Sequence, residues 1–149
     1  MGEMKHKATI LVVEDDPHER FFVERVFNKA NLPAYLKFAV DGEEAIAYLS
    51  GKGKFRDRTQ FPIPALILLD LKMPNATGFE VLQWLKVQEG LKRVPVTVLT
   101  SSSLQSDINR AYELGANAYL VKPLSFDQLK KVYSKATEFF TVDAATPTV

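Results

Sequence analysis

The sequence predicts an α/β protein, a doubly wound sheet of five parallel strands with five helices on its two faces. Three observations lead there. Short apolar runs rich in β-branched residues alternate with helix-period segments along the chain. Most of these runs lack polar alternation, the pattern of strands covered on both faces. Capping residues follow closely after four of the five runs and open a helix there.

In chain order, Ala8–Val13 (ATILVV) is the first strand. Asp16-Pro17-His18-Glu19 then supplies an N-cap, a proline at the first helical position and a Glu at the capping-box position. The helix it opens carries Val23, Val26, Phe27 and Ala30 as its core stripe. Phe22 flanks that stripe, and Phe21 is expected on the opposite side. Residues 35–40 (YLKFAV) are half polar and read as an edge strand, and Asp41 with Glu44 opens the second helix. Residues 50–64 form a long, Gly/Pro-punctuated connection whose Lys52, Lys54, Arg56 and Arg58 are expected in solvent.

The third strand is 65–69 (ALILL), followed by a Thr77…Glu80 helix start. The fourth is 94–99 (VPVTVL), followed by a helix around 104–114 that Gly115 stops. Ala118–Val121 (AYLV) is the fifth strand, grouped with the fully buried runs, and Ser125…Gln128 opens the last helix. Leu129, Val132, Tyr133 and Ala136 form that helix's inner stripe. Phe139 and Phe140 lie beyond it and either cover the core or form a dimer contact through that helix, the dimer contact being the favoured reading. Residues 141–149 are small and unpatterned and are expected to be a flexible tail, which leaves 1–140 for a single domain.

Composition excludes several classes. There is no cysteine, so thiolate nucleophiles and zinc–thiolate sites are out, and two histidines, His6 and His18, leave little for a histidine metal cluster. Nineteen basic against 18 acidic residues give a net charge of +1, which points to neither nucleic acid nor an anionic membrane. No run is long enough to span a membrane, and residues 1–7 have no secretion-signal character. The expectation is a cytoplasmic protein.

In an open parallel sheet the functional groups gather beyond the carboxyl ends of the strands. Those ends here are Glu14-Asp15-Asp16, Asp70, Thr100-Ser101 and Lys122-Pro123. Asp16 is assigned to capping. Glu14, Asp15 and Asp70 then crowd three negative charges, which one Mg²⁺ and Lys122 would balance. A carboxylate nucleophile beside a metal, a lysine and a hydroxyl is suited to phosphoryl transfer onto aspartate. Each of these residues alone has a plain structural reading, as a solvated helix start, a turn, a strand end or a surface lysine. Their joint placement carries the functional one.

ILVVEDDP at 10–17, LLDLKMPNATG at 68–78, VLTSS at 98–102 and GANAYLVKP at 115–123 together resemble a two-component response-regulator receiver domain. The long basic connection and the lack of an output domain resemble the stand-alone regulators that accompany bacterial and cyanobacterial phytochrome histidine kinases. The resemblance implies the flavodoxin-like strand order 2-1-3-4-5. It implies Asp70 as phosphoacceptor from a kinase phosphohistidine, and Mg²⁺ on Asp15, Asp70 and the Lys72 carbonyl, with Glu14 acting through water. It implies Lys122 on the phosphoryl oxygens, followed by a cis peptide before Pro123. Thr100 and Tyr119 would form a switch that remodels the helix 4–strand 5–helix 5 face, also a candidate homodimer surface. Lys72 and Ser102 would tune the hydrolytic water.

Receivers meet their kinase largely through helix 1 and the loop after strand 5, so Phe22 and Phe21 are expected as kinase contacts. The protein is thus read as a phosphoacceptor signalling domain rather than an enzyme, assisting its own phosphorylation and dephosphorylation. Two rivals fit less well. A haloacid-dehalogenase-like phosphatase needs an Asp where Lys72 stands. A flavodoxin-like cofactor binder needs a phosphate cradle where Glu14-Asp15-Asp16 would repel phosphate.

Overall fold

The computed structural model describes residues 7–145, with side chains as far as Thr137. Its elements run β1 (Ala8–Val13), α1 (Pro17–Ala30), β2 (Ala34–Ala39), α2 (Gly42–Ser50), a 3₁₀ turn (Gly53–Phe55), β3 (Leu66–Leu69), α3 (Gly78–Lys86), β4 (Val96–Thr100), α4 (Gln105–Glu113), β5 (Ala118–Val121) and α5 (Phe126–Ala145). The strands form one parallel sheet in the order β2-β1-β3-β4-β5. Successive strand residues point to opposite faces. Leu11, Val13, Ile67, Leu69 and Val98 therefore pack with residues of α2, α3 and α4. Ile10, Val12, Leu66 and Leu68 pack with residues of α1 and α5. The order reverses between β1 and β3, which opens a crevice at their carboxyl ends.

The helix starts repay inspection one by one. Thr77 with Glu80 closes a full capping box, and Ser125 with Gln128 exchanges the same pair of bonds. At α2, Asp41 accepts from Glu44 N, but the Glu44 carboxylate reaches back to Val40 N instead of Asp41 N. At α1, Asp16 caps His18 N, and no box closes, because Glu14 takes the Asp16 N–H and Glu19 turns toward Lys122.

Several other expectations shift. β4 starts at Val96 because Pro95 has no N–H to give a ladder. β5 is not covered on both faces: it is an edge strand paired with β4 alone, and Val121 is exposed. Phe21 projects away from the core stripe and is exposed, yet it and Phe22 both line one groove of about 920 Å³ with Leu124 and Phe126. α5 continues to Ala145, past the boundary set at Phe140. Residues 146–149 of the tail expected at 141–149, and the Phe139 and Phe140 side chains, lie outside the described residues.

The basic connection is also not wholly solvated. Arg58 turns inward and donates to the carbonyls of Tyr48, Leu49 and Phe61 at 2.7–3.1 Å, two of them in the last turn of α2, where Tyr48 O also accepts the Gly51 N–H. Around it Tyr48, Phe55 and Phe61 stack as a triangle with ring centroids 5.1–5.8 Å apart. The segment is thereby fixed against the sheet by its own small aromatic core.

Candidate functional site

β1 and β3 end side by side, with Asp70 N bonding Val13 O, so Glu14 and Asp70 are delivered to the same crevice. Both are buried, while Asp15 between them in the cluster is exposed. Oxygens of Glu14, Asp15 and Asp70 lie within 4.8 Å of one another. On the far side, Lys122 N bonds Thr100 O, which brings the end of β5 level with the end of β4. The Lys122–Pro123 peptide is cis.

Lys122 Nζ lies 2.7 Å from Glu14 Oε1, 3.3 Å from Asp70 Oδ2 and 3.9 Å from Glu19 Oε1. Asp70 Oδ1 accepts from Leu71 N at 2.7 Å, which leaves Oδ2 as the oxygen facing the ammonium. Burial pushes the Glu14 carboxyl above its ordinary value, and the nearby Asp70 charge adds to this against the lowering effect of Lys122 and the Asp16 N–H. For Lys122, burial acts against the charge, but the Glu14 bond and the Asp70, Glu14 and Glu19 carboxylates outweigh it and raise the ammonium's pKa. The lysine is thus held charged over two buried acids.

The donor set suits a small hard cation: three carboxylates with oxygens in mutual reach, one of them open to solvent. Asp16 is not part of it, since its carboxylate caps α1. Lys72 follows in the loop, its N–H 3.5 Å from Asp70 Oδ1 and its side chain exposed. At the neighbouring strand end Thr100 is fully buried, and its Oγ1 has no hydrogen-bond partner. Buried hydroxyls are almost always paired, and among the described residues Thr9 is the other whose buried hydroxyl has no partner.

Tyr119 stands apart from the acids. Its hydroxyl donates to Ser102 O at 2.9 Å, which ties β5 to the loop after β4, and burial raises its pKa. Ser102 is buried, and its own hydroxyl donates to Asp107 Oδ2 at 2.6 Å. That hydroxyl braces α4. Phe21 and Phe22 are on the outer side of α1, in the groove against the β5–α5 loop.

Two neighbours of the site went unnoticed in the sequence. Arg20 Nη1 donates to the Glu14 carbonyl at 2.8 Å and pins the end of β1, and Glu19 adds a third carboxylate facing Lys122. Their only signal was position, in the first turn of the helix that follows the acidic cluster.

Comparison with known proteins agrees with this geometry. Residues 10–134 match the model of the response regulator receiver domain. A probable methanogenesis regulatory protein of Methanothrix harundinacea, FilR2, is 36% identical over 93% of this chain and 86% of its own. Response regulator Rcp1 of Synechocystis is 36% identical over 97% of both chains. The Mn²⁺-bound crystal structure of Rcp1 superposes with a TM-score of 0.72, covering 89% of this chain and 94% of that one. The bacteriophytochrome response regulator AtBRR gives a TM-score of 0.79 at 39% identity, covering 89% of this chain and 94% of its own. With the strand order, the acidic crevice and the family match all in agreement, the chain belongs to the receiver domains of two-component response regulators.

Proposed function

We propose that this protein accepts a phosphoryl group from a sensor histidine kinase, or from a phosphotransfer protein, on Asp70. The observation that carries the reading is the pairing of a buried Asp70, whose Oδ2 faces Lys122, with the partnerless Thr100 hydroxyl at the next strand end. Asp70 Oδ2 forms the new O–P bond as the P–N bond of the donor phosphohistidine breaks and its electron pair returns to the imidazole. Lys122 neutralises an oxygen of the arriving group, moving off Glu14 to do so. Thr100 donates its free O–H to another.

Glu14, Asp15, Asp70 and the Lys72 carbonyl would hold Mg²⁺, which when bound offsets the crowded negative charge of acids and phosphoryl oxygens. The Mn²⁺-bound form of the relative Rcp1 supports a divalent ion here. The domain is a signalling module that assists its own phosphorylation and dephosphorylation. Lys72, exposed beside Asp70, tunes access of the hydrolytic water. Ser102 does so less directly, since its hydroxyl is committed to Asp107.

Output runs through Thr100 and Tyr119. Drawing the β4–α4 loop toward Asp70 moves the Ser102 carbonyl that holds the Tyr119 hydroxyl. The face it remodels carries exposed Leu104, Tyr112 and Val121, apolar groups suited to a second copy or a downstream protein. The kinase docks on the Phe21–Phe22 groove at α1. The relatives AtBRR and RcpA, described as phytochrome response regulators, support a phytochrome-type kinase acting in the cytoplasm. Among the described residues no helix is long and apolar enough to cross a membrane.

Intact mass after incubation with Mg²⁺ and a small phosphodonor tests the core of this reading. Wild type should gain one phosphoryl group, with the gain abolished by chelator and absent in Asp70→Asn. Equal gain by Asp70→Asn would reject Asp70. No gain from either the small donor or a histidine kinase would reject the receiver chemistry.

A further inference from the structure

Nothing in the mechanism above uses the loop's outer end, yet that end is gripped from a distant part of the chain. The segment from Asp70 to Gly78 closes on itself, with Gly78 N bonding Leu71 O and the Gly78 Cα packed so tightly on the Asp70 carbonyl that no Cβ would fit. Its far end touches α2. Asn75 Nδ2 donates to Asp41 Oδ2 at 3.1 Å, and Asn75 O accepts from Glu43 N at 2.9 Å.

The second bond matters because Glu43 N is one of the first-turn donors of α2 that the helix itself leaves unsatisfied. The Asp41 carboxylate is divided: Oδ1 caps Glu44 N and Oδ2 holds Asn75. Gly42 lies flush against the Ala76 carbonyl, where any side chain would collide. Within the loop Asn75 and Ala76 have φ of 53° and 87°, left-handed values that L residues hold only when their surroundings compel them. Asn tolerates that region; Ala76 does not by preference, so the grip of α2 on both residues sets the loop's path.

We infer that Asn75 is a positioning residue: its two-point attachment to Asp41 and Glu43 holds the Asp70–Lys72 backbone in the geometry that receives the cation and the phosphoryl group. Asn75 touches neither, and acts through the loop. The inference rests on the receiver reading for what the loop does, and on the hydrogen bonds for how the loop is held.

The test exchanges the two partners. Asn75→Asp sets a carboxylate against Asp41 and breaks the side-chain point of the clamp, leaving the backbone bond to Glu43 N under that repulsion, while adding negative charge near the acids. Asp41→Asn with Asn75→Asp restores an amide–carboxylate pair, keeps an oxygen to cap Glu44 N, and leaves the net charge of wild type. Mg²⁺ titration by calorimetry is the readout, with urea midpoints alongside. The single variant should bind Mg²⁺ about tenfold more weakly, the scale of lost outer-shell support, and the exchanged pair should return to within about twofold of wild type. Unchanged or tighter binding by Asn75→Asp, as charge alone would give, overturns the inference. So does an exchanged pair that folds like wild type but binds as weakly as the single variant. Wild type that binds Mg²⁺ in this pattern but takes no phosphoryl group would sink the receiver chemistry and leave the clamp standing.

Discussion

Replacing Thr100 by Val should make the protein more stable while disabling its response. The side chain is wholly buried at the end of β4, and its Oγ1 has no partner. A buried hydroxyl without a partner forfeits its hydration, a penalty of about 1–3 kcal/mol. Valine puts a methyl group of similar size in the same place, so no cavity opens and the penalty disappears. A gain of about 1 kcal/mol follows, equivalent to a rise in Tm of about 2–4 °C for a domain of this size. Urea denaturation in the absence of divalent ions measures it.

Thr9 provides the control, because it is also buried with an orphan Oγ1 but lies at the start of β1, away from the crevice. Thr9→Val should give a similar gain and leave phosphorylation and its consequences untouched. Thr100→Val should still accept a phosphoryl group on Asp70, since the nucleophile and Lys122 are intact. It should not transmit that event to the Tyr119 ring, whose NMR signals would stay at their unphosphorylated positions. A loss of stability in Thr100→Val, or a full Tyr119 response, would refute the argument that this hydroxyl is held in reserve for the phosphoryl group.

Three further predictions rest on other parts of the molecule. Arg58→Ala should cost about 1–3 kcal/mol by leaving the Leu49 carbonyl at the end of α2 without its donor, the Tyr48 carbonyl keeping the Gly51 N–H, and Arg58→Lys should not restore it because an ammonium lacks the planar fork; urea unfolding checks both, with phosphoryl uptake by the folded variants unchanged. Burial pushes the Tyr48 hydroxyl up to about 12, so the latest tyrosine phase in ultraviolet absorbance should vanish in Tyr48→Phe. Because the folded value lies above the unfolded one, this stabilisation is complete below about pH 10 and fades toward pH 12, a loss of about 2–3 kcal/mol. Phe21→Ala with Phe22→Ala should slow transfer from the cognate kinase by about tenfold or more, the scale of lost aromatic anchors. Both rings are exposed, so stability should change by no more than about 0.5 kcal/mol and uptake from a small phosphodonor should stay the same.

Much of this architecture is legible in one dimension. Parallel strands covered by helices are buried at nearly every position, so β1, β3 and β4 announce themselves as apolar and β-branched runs interrupted only by threonine. Local chemistry marks the helix starts, because capping groups sit within three residues of the N–H they satisfy. The carboxyl ends of successive strands then place Glu14, Asp15, Asp70, Thr100 and Lys122 along one edge before any coordinate is known. What sequence cannot carry is competition among partners far apart in the chain. Glu14 and Glu19 are equally plausible partners for the Asp16 N–H; in the fold Glu14 takes it with one carboxylate oxygen while its other oxygen meets Lys122, more than a hundred residues away, and Glu19 lies farther out at 3.9 Å from the same lysine.

The same reason explains the other revisions. Arg58 looks like one cation in a basic loop until three carbonyls from α2 and Phe61 surround it. Asn75 looks like an ordinary turn residue until the first turn of α2 arrives to use both its amide and its carbonyl. Strand identity, most helix starts and the acidic edge were determined by the sequence, through periodicity and short-range hydrogen bonding. Which oxygen of Asp70 faces the lysine, which hydroxyl is left without a partner and what grips the acceptor loop were decided only by tertiary structure, where groups distant in the chain compete for the same donors.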